Sequence, residues 1–590
     1  MKHRLIWIVS IPIFTLAFAS VLAKTIEPTQ SAQSDLAIIK VEWDSREELN
    51  WLKAAYDVWE VVPEDQVVFI AADPKTATSL RDDGWQATVD VAQTNFHLNQ
   101  PSDQRAVDTY FGGYKTNSEI LADMQSLNAA YPDLTEIFDY GDSLCKIESG
   151  CTTPDGDSLP GHDLLALRIS NEAISGTSHI SGTEVISGSK PIFMLHAGIH
   201  SREIATPETA LRFARWLLEN HTQDAQVRAI VDWQESWIIP LANPDGYDVV
   251  LLGTESKYGG VPLLHRKNGR GADANNCAWP SNSGNHFGVD LNRNHSFGWG
   301  PIGTSLSPCS QTYRGTGGAS EPETAAFETL VSSLISDQRG PNRTDAAPND
   351  AAGLMITMHS YGEDVIWPWG DGIFPDNFAP NHADLKAIGD RLAQTAGYES
   401  WQGNDYGGVS GATEDHVYGE LGIPSFNFEI GTKFLQSYEE TTTTIWSSNR
   451  PALLYAAGIA QAPYQMVHGP EISNLTYTVS NETIIITGTV SDAKSGDNSI
   501  LTVFAAATLP VSATTTMTAT AIDGMFDTSS EQFVLGPIPF THPTGIPKSC
   551  SLALFFRGSD QQGFLGPVNG IIATPSNCRP ELYLPLTLNH

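Results

Sequence analysis

Residues Pro191–Glu208 read PIFMLHAGIHSREIATPE. A near-continuous apolar run, Ile192–Ala197, lies between a proline and a glycine. That is the pattern of a strand buried on both faces, as in a parallel sheet covered by helices. A helical pattern, TPETALRFARWLLEN, starts at Thr206. Between strand and helix stand His200, Ser201, Arg202 and Glu203 in a row. In open parallel sheets, ligands bind at the carboxyl ends of strands. The polar quartet therefore sits where such a fold places its chemistry.

The same alternation extends outward. LLALRIS, SWIIPLANPDG, LMITMHSYG and PSFNFEIG read as further strands, and EPETAAFETLVSSLI and HADLKAIGDRLAQTA as helices. An amphipathic helix precedes them, with Ile120, Leu121, Met124 and Leu127 at helical spacing. The expected fold of residues 106–462 is α/β: a mixed, mostly parallel sheet with helices on both faces.

Other textures flank this region. The first residues, MKHRLIWIVSIPIFTLAFASVLA, combine a basic start, an apolar run and small residues at Val21–Ala23. They read as a secretory signal peptide over 1–23, with a membrane anchor as the alternative. Residues 24–105 hold a small α/β unit. Its strands are LAIIKVEW, DQVVFIAA and WQATVDV, and Ser45 opens a helix through a capping box. A polar stretch from Ala92, AQTNFHLNQPSDQRAVD, reads as a linker. Over 463–590 the helical patterns stop, and short alternating runs such as ETIIITGTV and SLALFFRG read as a β-sandwich.

With 41% hydrophobic and 17% charged residues, a sizeable core is expected. The net charge of −35 argues against a nucleic-acid partner. The signal-peptide pattern makes an extracellular protein the expectation, and no stretch after the first is long and apolar enough to span a bilayer. Six cysteines in an exported chain read as disulfides, and their local grouping suggests Cys145–Cys151, Cys277–Cys309 and Cys550–Cys578.

His200 and Glu203, three apart, share one side of a helical turn and can converge on one point. Imidazole nitrogen and carboxylate oxygen are both zinc ligands. His359, also just after an apolar run, is the candidate third. In SFNFEIG, Ser425, Asn427 and Glu429 share one face of a strand. Glu429, near its end, is a candidate general base.

Ordered motifs then carry a resemblance over about Tyr110 to Ala462. They are PIFMLHAGIHSRE, NPDGY, HRKNGR, GVDLNRN, SPCSQTYRG, HSYGEDVIWPWG and YGGVSGATEDHVYGELGIPSFNFE. Together they resemble zinc carboxypeptidases of the pancreatic A/B type and their secreted bacterial relatives. The resemblance implies one Zn2+ per catalytic domain, held by His200, Glu203 and His359. It implies zinc-water attack on the C-terminal peptide bond, with Glu429 as general base and Arg266 as oxyanion stabiliser. Asn292 and Arg293 would hold the terminal carboxylate, and Tyr406 would close over it. Arg202 and Tyr361 would contact substrate. Glu414 would fall on the floor of the specificity pocket, which implies removal of C-terminal Lys or Arg. Residues 24–105 occupy the position of the family's inhibitory pro-segment, an accessory domain being the alternative. His295 and His416 depart from the family, since the animal enzymes usually carry tryptophan there.

The partners expected are peptides or proteins with a free C-terminus, met by a monomer. A cell-wall peptide hydrolase of the same fold, or a non-catalytic binding or adhesion protein, are the alternatives. The stretch DGDSLPGHD, Asp155–Asp163, could take calcium, but no spacing rule supports a site.

Overall fold

The computed structural model describes residues 36–98, 111–181, 184–186, 188–271, 277, 279–280, 286–372, 378–405, 407–480, 483–507, 517–539 and 552–574. The central element is an eight-stranded sheet. Its strands, from one edge to the other, are Glu399–Gln402, Asp364–Trp367, Ser425–Glu429, Leu354–His359, Ile192–Ala197, Glu235–Ile239, Asp163–Ile169 and Thr135–Asp142. The four middle strands, Ser425–Glu429 through Glu235–Ile239, run parallel. Every residue of Ile192–Ala197 and Leu354–His359 is buried, as their apolar runs require. One finding differs from the simplest parallel reading: Asp364–Trp367 enters antiparallel beside Ser425–Glu429. It turns back directly after His359, so no crossover helix is available to make it parallel.

Helices cover both faces. Ala205–Asn220 and Trp446–Ile459 contribute Phe213, Leu217, Leu453 and Ala457 to the larger apolar core. Pro322–Leu334 brings Phe327, Leu330 and Val331 to the smaller one. The helix Asn117–Ala130 starts at a capping box between Thr116 and Glu119 and buries Ile120, Met124 and Leu127.

The N-terminal unit is a four-stranded antiparallel sheet with its own core of Ile39, Val41, Leu49, Leu52, Val68 and Ile70. It contains a strand not expected from the sequence, Asp57–Val62, at one edge. The polar stretch taken for a linker begins instead as a helix, Val91–Leu98. Its burial centres on His97 and not on an apolar stripe, which is why its periodicity gave no helical signal.

The C-terminal strands form two four-stranded sheets around Ile484, Ile486, Val503, Phe533 and Phe556. This sandwich packs on the helix Ala225–Trp233 through Phe555 and Ala553, and Arg391 pairs with Glu471 in a bidentate bridge. Disulfides join Cys145 to Cys151 and Cys277 to Cys309. The third pairing, Cys550 with Cys578, lies outside the described residues, as do the signal peptide and Tyr406. Asp155 and Asp157 accept hydrogen bonds from Tyr258, and Asp157 also pairs with Lys257.

Candidate active site

The sheet ends bring together the three residues that the sequence singled out first. His200 Nδ1 lies 2.7 Å from Glu203 Oε1 and 3.0 Å from His359 Nδ1. His359 Nδ1 is 3.2 Å from Glu203 Oε2. Two strands two places apart in register would not achieve this. Ile192–Ala197 and Leu354–His359 are direct neighbours, with Ala197 opposite Met358. All three side chains are buried, and their donor atoms face one another. Two imidazole nitrogens and a carboxylate are a donor set suited to zinc, with room left for a fourth ligand. The residues present fit the metal.

Around them stands a supporting layer. Asp290, fully buried, reaches His200 Nε2 at 3.2 Å through Oδ1 and accepts from Arg266 Nε at 3.0 Å through Oδ2. It thus fixes the histidine tautomer and the guanidinium together. Its carboxyl is held well below the usual range: burial opposes ionisation, but Arg266, Arg293 and His200 overcome it. The backbone N–H of Ser360 donates to Glu203 Oε2 at 3.2 Å.

Asn292 Oδ1 accepts from both the amide and the hydroxyl of Thr413, each at 2.9 Å. That leaves its Nδ2 directed at His359 Nε2, 3.5 Å away. Arg293 donates through Nε to the Gly303 carbonyl and through Nη1 to the Asn292 carbonyl. Glu429 is paired in register with His359 and accepts from Asn427 Nδ2 at 3.3 Å. Burial pushes its carboxyl well above the ordinary range, and the charge of Glu203 adds to this. Glu414 is buried, its Oε2 has no hydrogen-bond partner, and burial raises its pKa.

His200, Glu203, Arg266, Asn292, Arg293, Tyr361, Glu414 and Glu429 all line one cavity of 740 Å³. The N-terminal unit supplies another part of that lining, including Lys53, Asp57, Trp59 and His97. Arg202 is turned to this unit: its two terminal nitrogens donate to the two oxygens of Asp57 at 2.7 and 2.9 Å. Its guanidinium lies 4.0 Å from the centre of the Phe434 ring, against which Trp59 also packs edge-on. Tyr361 stacks on His97, ring centres 4.8 Å apart. Further bonds tie the helix Arg46–Ala55 to the rim: Lys53 Nζ donates to the Gly407 carbonyl, and Asn50 Oδ1 accepts from Gly408. Among the described residues, none beyond Phe434 lines the cavity.

Sequence reasoning missed Asp290, Thr413 and Asp57. The first two sit inside quoted motifs, beside Asn292 and Glu414. Their acid and hydroxyl groups were the available signal. Asp57 had none, since its partner is distant in the chain.

A family model for zinc carboxypeptidases matches residues 151–451, more than half of the 590-residue chain. The chain belongs to the zinc carboxypeptidase family. Carboxypeptidase O of Homo sapiens is 30% identical over 252 residues, 41% of this chain and 57% of that protein. Zinc carboxypeptidase A 1 of Anopheles gambiae is 32% identical over 269 residues, 43% of this chain and 54% of that one. Carboxypeptidase B of Rattus norvegicus is 26% identical over 245 residues, 41% of this chain and 52% of its own. The chain therefore spans little more than half the length of these curated relatives. The crystal structure of carboxypeptidase A from Helicoverpa armigera shares the fold, with a TM-score of 0.52 at 20% identity over 72% of this chain and 98% of that one. No helix among the described residues is long and apolar enough to cross a membrane.

Proposed function

We propose that this chain is an exported, zinc-dependent carboxypeptidase that removes C-terminal Lys or Arg from peptides and is held latent by its N-terminal unit. The observation that carries the reading is that the His200–Glu203–His359 donor set opens, through His200 and Glu203, on one cavity shared with Asn292, Arg293 and Glu414, whose Oε2 has no hydrogen-bond partner.

Zinc, when bound by His200, Glu203 and His359, supplies Lewis-acid polarisation and a water of lowered pKa. The chain's own residues do the rest. Arg293, anchored by its Nε and Nη1, and Asn292, braced by Thr413, receive the terminal carboxylate. A guanidinium pairs with such a group and finds none at an internal peptide bond. Arg266, oriented by Asp290, offers its remaining donors to the oxygen that gains charge. Glu429, with its raised proton affinity, takes a proton from the attacking water and passes it to the leaving amine. Glu414 is a buried carboxylate with a free oxygen, and such a group favours a cationic occupant.

The test uses purified protein trimmed near Val107, with peptides ending in Arg, in Leu, or in amidated Arg. Cleavage of the free Arg peptide, lost with a zinc chelator and weak on the amide, is expected. Equal cleavage of amide and free acid would overturn the exopeptidase reading.

A further inference from the structure

Outside the cavity lies a second convergence of the same donor types: His295, Glu328 and His416. They come from three elements. His295 follows the turn Leu291–Arg293, Glu328 lies on the helix Pro322–Leu334, and His416 lies on the helix Thr413–Leu421. His295 Nδ1 is 3.1 Å from Glu328 Oε1, and His416 Nδ1 is 3.5 Å from the same oxygen. In the first cluster the corresponding spans are 2.7 to 3.2 Å. Ligands at zinc bond lengths in a tetrahedron are about 3.4 Å apart. The two histidine–glutamate spans of the second cluster match that spacing, and all its donor atoms lie within 4.8 Å of one another.

The hydrogen bonds fix which atoms face inward. The Thr413 hydroxyl donates to Asn292 Oδ1, so it is free to accept from His295 Nε2–H, 3.0 Å away. With Nε2 protonated, Nδ1 faces the Glu328 carboxylate, as a donor in the charged ring and as a metal ligand in the neutral one. His416 Nδ1 lies 3.4 Å from the Phe297 backbone N–H, a long contact that marks it as the unprotonated ring nitrogen and that a metal would displace. Two imidazole nitrogens thus face one carboxylate oxygen, Glu328 Oε1, which also accepts from the Ser296 backbone N–H at 2.8 Å. Ser296 Oγ, 2.8 Å from Glu328 Oε2 and 3.4 Å from His416 Nδ1, completes the surround. Both histidines are buried, while Glu328 is only part-buried and gives an ion a way in. None of the three lines the cavity.

We propose that His295, Glu328 and His416 form a second site for a zinc-class divalent metal, structural in role. Imidazole with carboxylate favours such ions over calcium or magnesium. The site would join the turn carrying Asn292 and Arg293 to the helix carrying Glu414, through His295 and Thr413. It does not depend on the catalytic reading.

The test is metal content of the full chain by plasma mass spectrometry, after chelator stripping and zinc loading. Two equivalents per chain are expected in wild type, and one each in Glu328→Gln and His416→Phe. A His359→Gln protein should also keep one, and zinc should raise its melting temperature. That rise should vanish when Glu328→Gln is added. Glu328→Gln preserves size, so it guards against misfolding of His416→Phe. One equivalent in wild type and none in His359→Gln would overturn the proposal and leave a simple His295–Glu328 ion pair. Failure of the first site would read differently: His359→Gln would not lower the wild-type content.

Discussion

Asp57 and Arg202, 145 positions apart in the chain, form a buried bidentate ion pair, and Asp57 lines the cavity. Arg202 stands between two members of the first donor cluster, and Asp57 begins the edge strand of the N-terminal unit. The pair therefore couples docking of that unit to the site itself.

Removing one partner of a buried pair costs about 3–5 kcal/mol, because the other charge stays buried and unpaired. The Asp57→Ala protein should accordingly show at least ~10-fold higher peptidase activity in the untrimmed chain. Its trimmed form should equal trimmed wild type. Unchanged activity of the uncut variant would refute latency through this contact.

Docking should weaken in acid. Burial, with Lys433 nearby, lowers the pKa of His97 to about 4 where it stacks on Tyr361. A free histidine titrates near ~6.5. Between these values the undocked unit binds more protons, so docking is fully stable above the free value and loses stability as pH falls through the window. Limited proteolysis at pH steps across it should release the unit faster in acid, and His97→Gln should flatten that dependence.

Glu429→Gln should keep zinc and lose turnover. General acid–base groups contribute about 10²–10⁴-fold. A fall of that size in kcat, with unchanged metal content and near-normal KM, is expected. Full activity would remove Glu429 from the reaction.

The pocket floor can be tested with two peptides. Wild type should prefer C-terminal Arg over Leu, and Glu414→Ile should reverse the order by relieving an unpaired buried carboxylate. Measured kcat/KM for the pair decides. A wild-type preference for Leu that the substitution leaves unchanged would refute the assignment.

Much of the sheet was legible because strands buried on both faces are written as apolar runs, as in Ile192–Ala197 and Leu354–His359. His200, Glu203 and His359 were legible because they follow such runs directly. What escaped depends on contacts distant in sequence. Helix Val91–Leu98 is stabilised by what it docks against, so its own composition reads as a linker. Strand Asp57–Val62 begins with a carboxylate whose burial makes sense only beside Arg202. Asp290 looks like any acidic turn residue until His200 and Arg266 are placed on either side of it. The placement of His295 and His416 against Glu328 was equally invisible, since three separate segments supply it.

The C-terminal sandwich is fastened to the body through Arg391–Glu471 and Phe555, while among the described residues the cavity draws none from beyond Phe434. Attachment and access are thus handled by separate stretches of chain. A tag, a bead or a fused cargo joined to the sandwich should therefore leave the described lining of the cavity untouched.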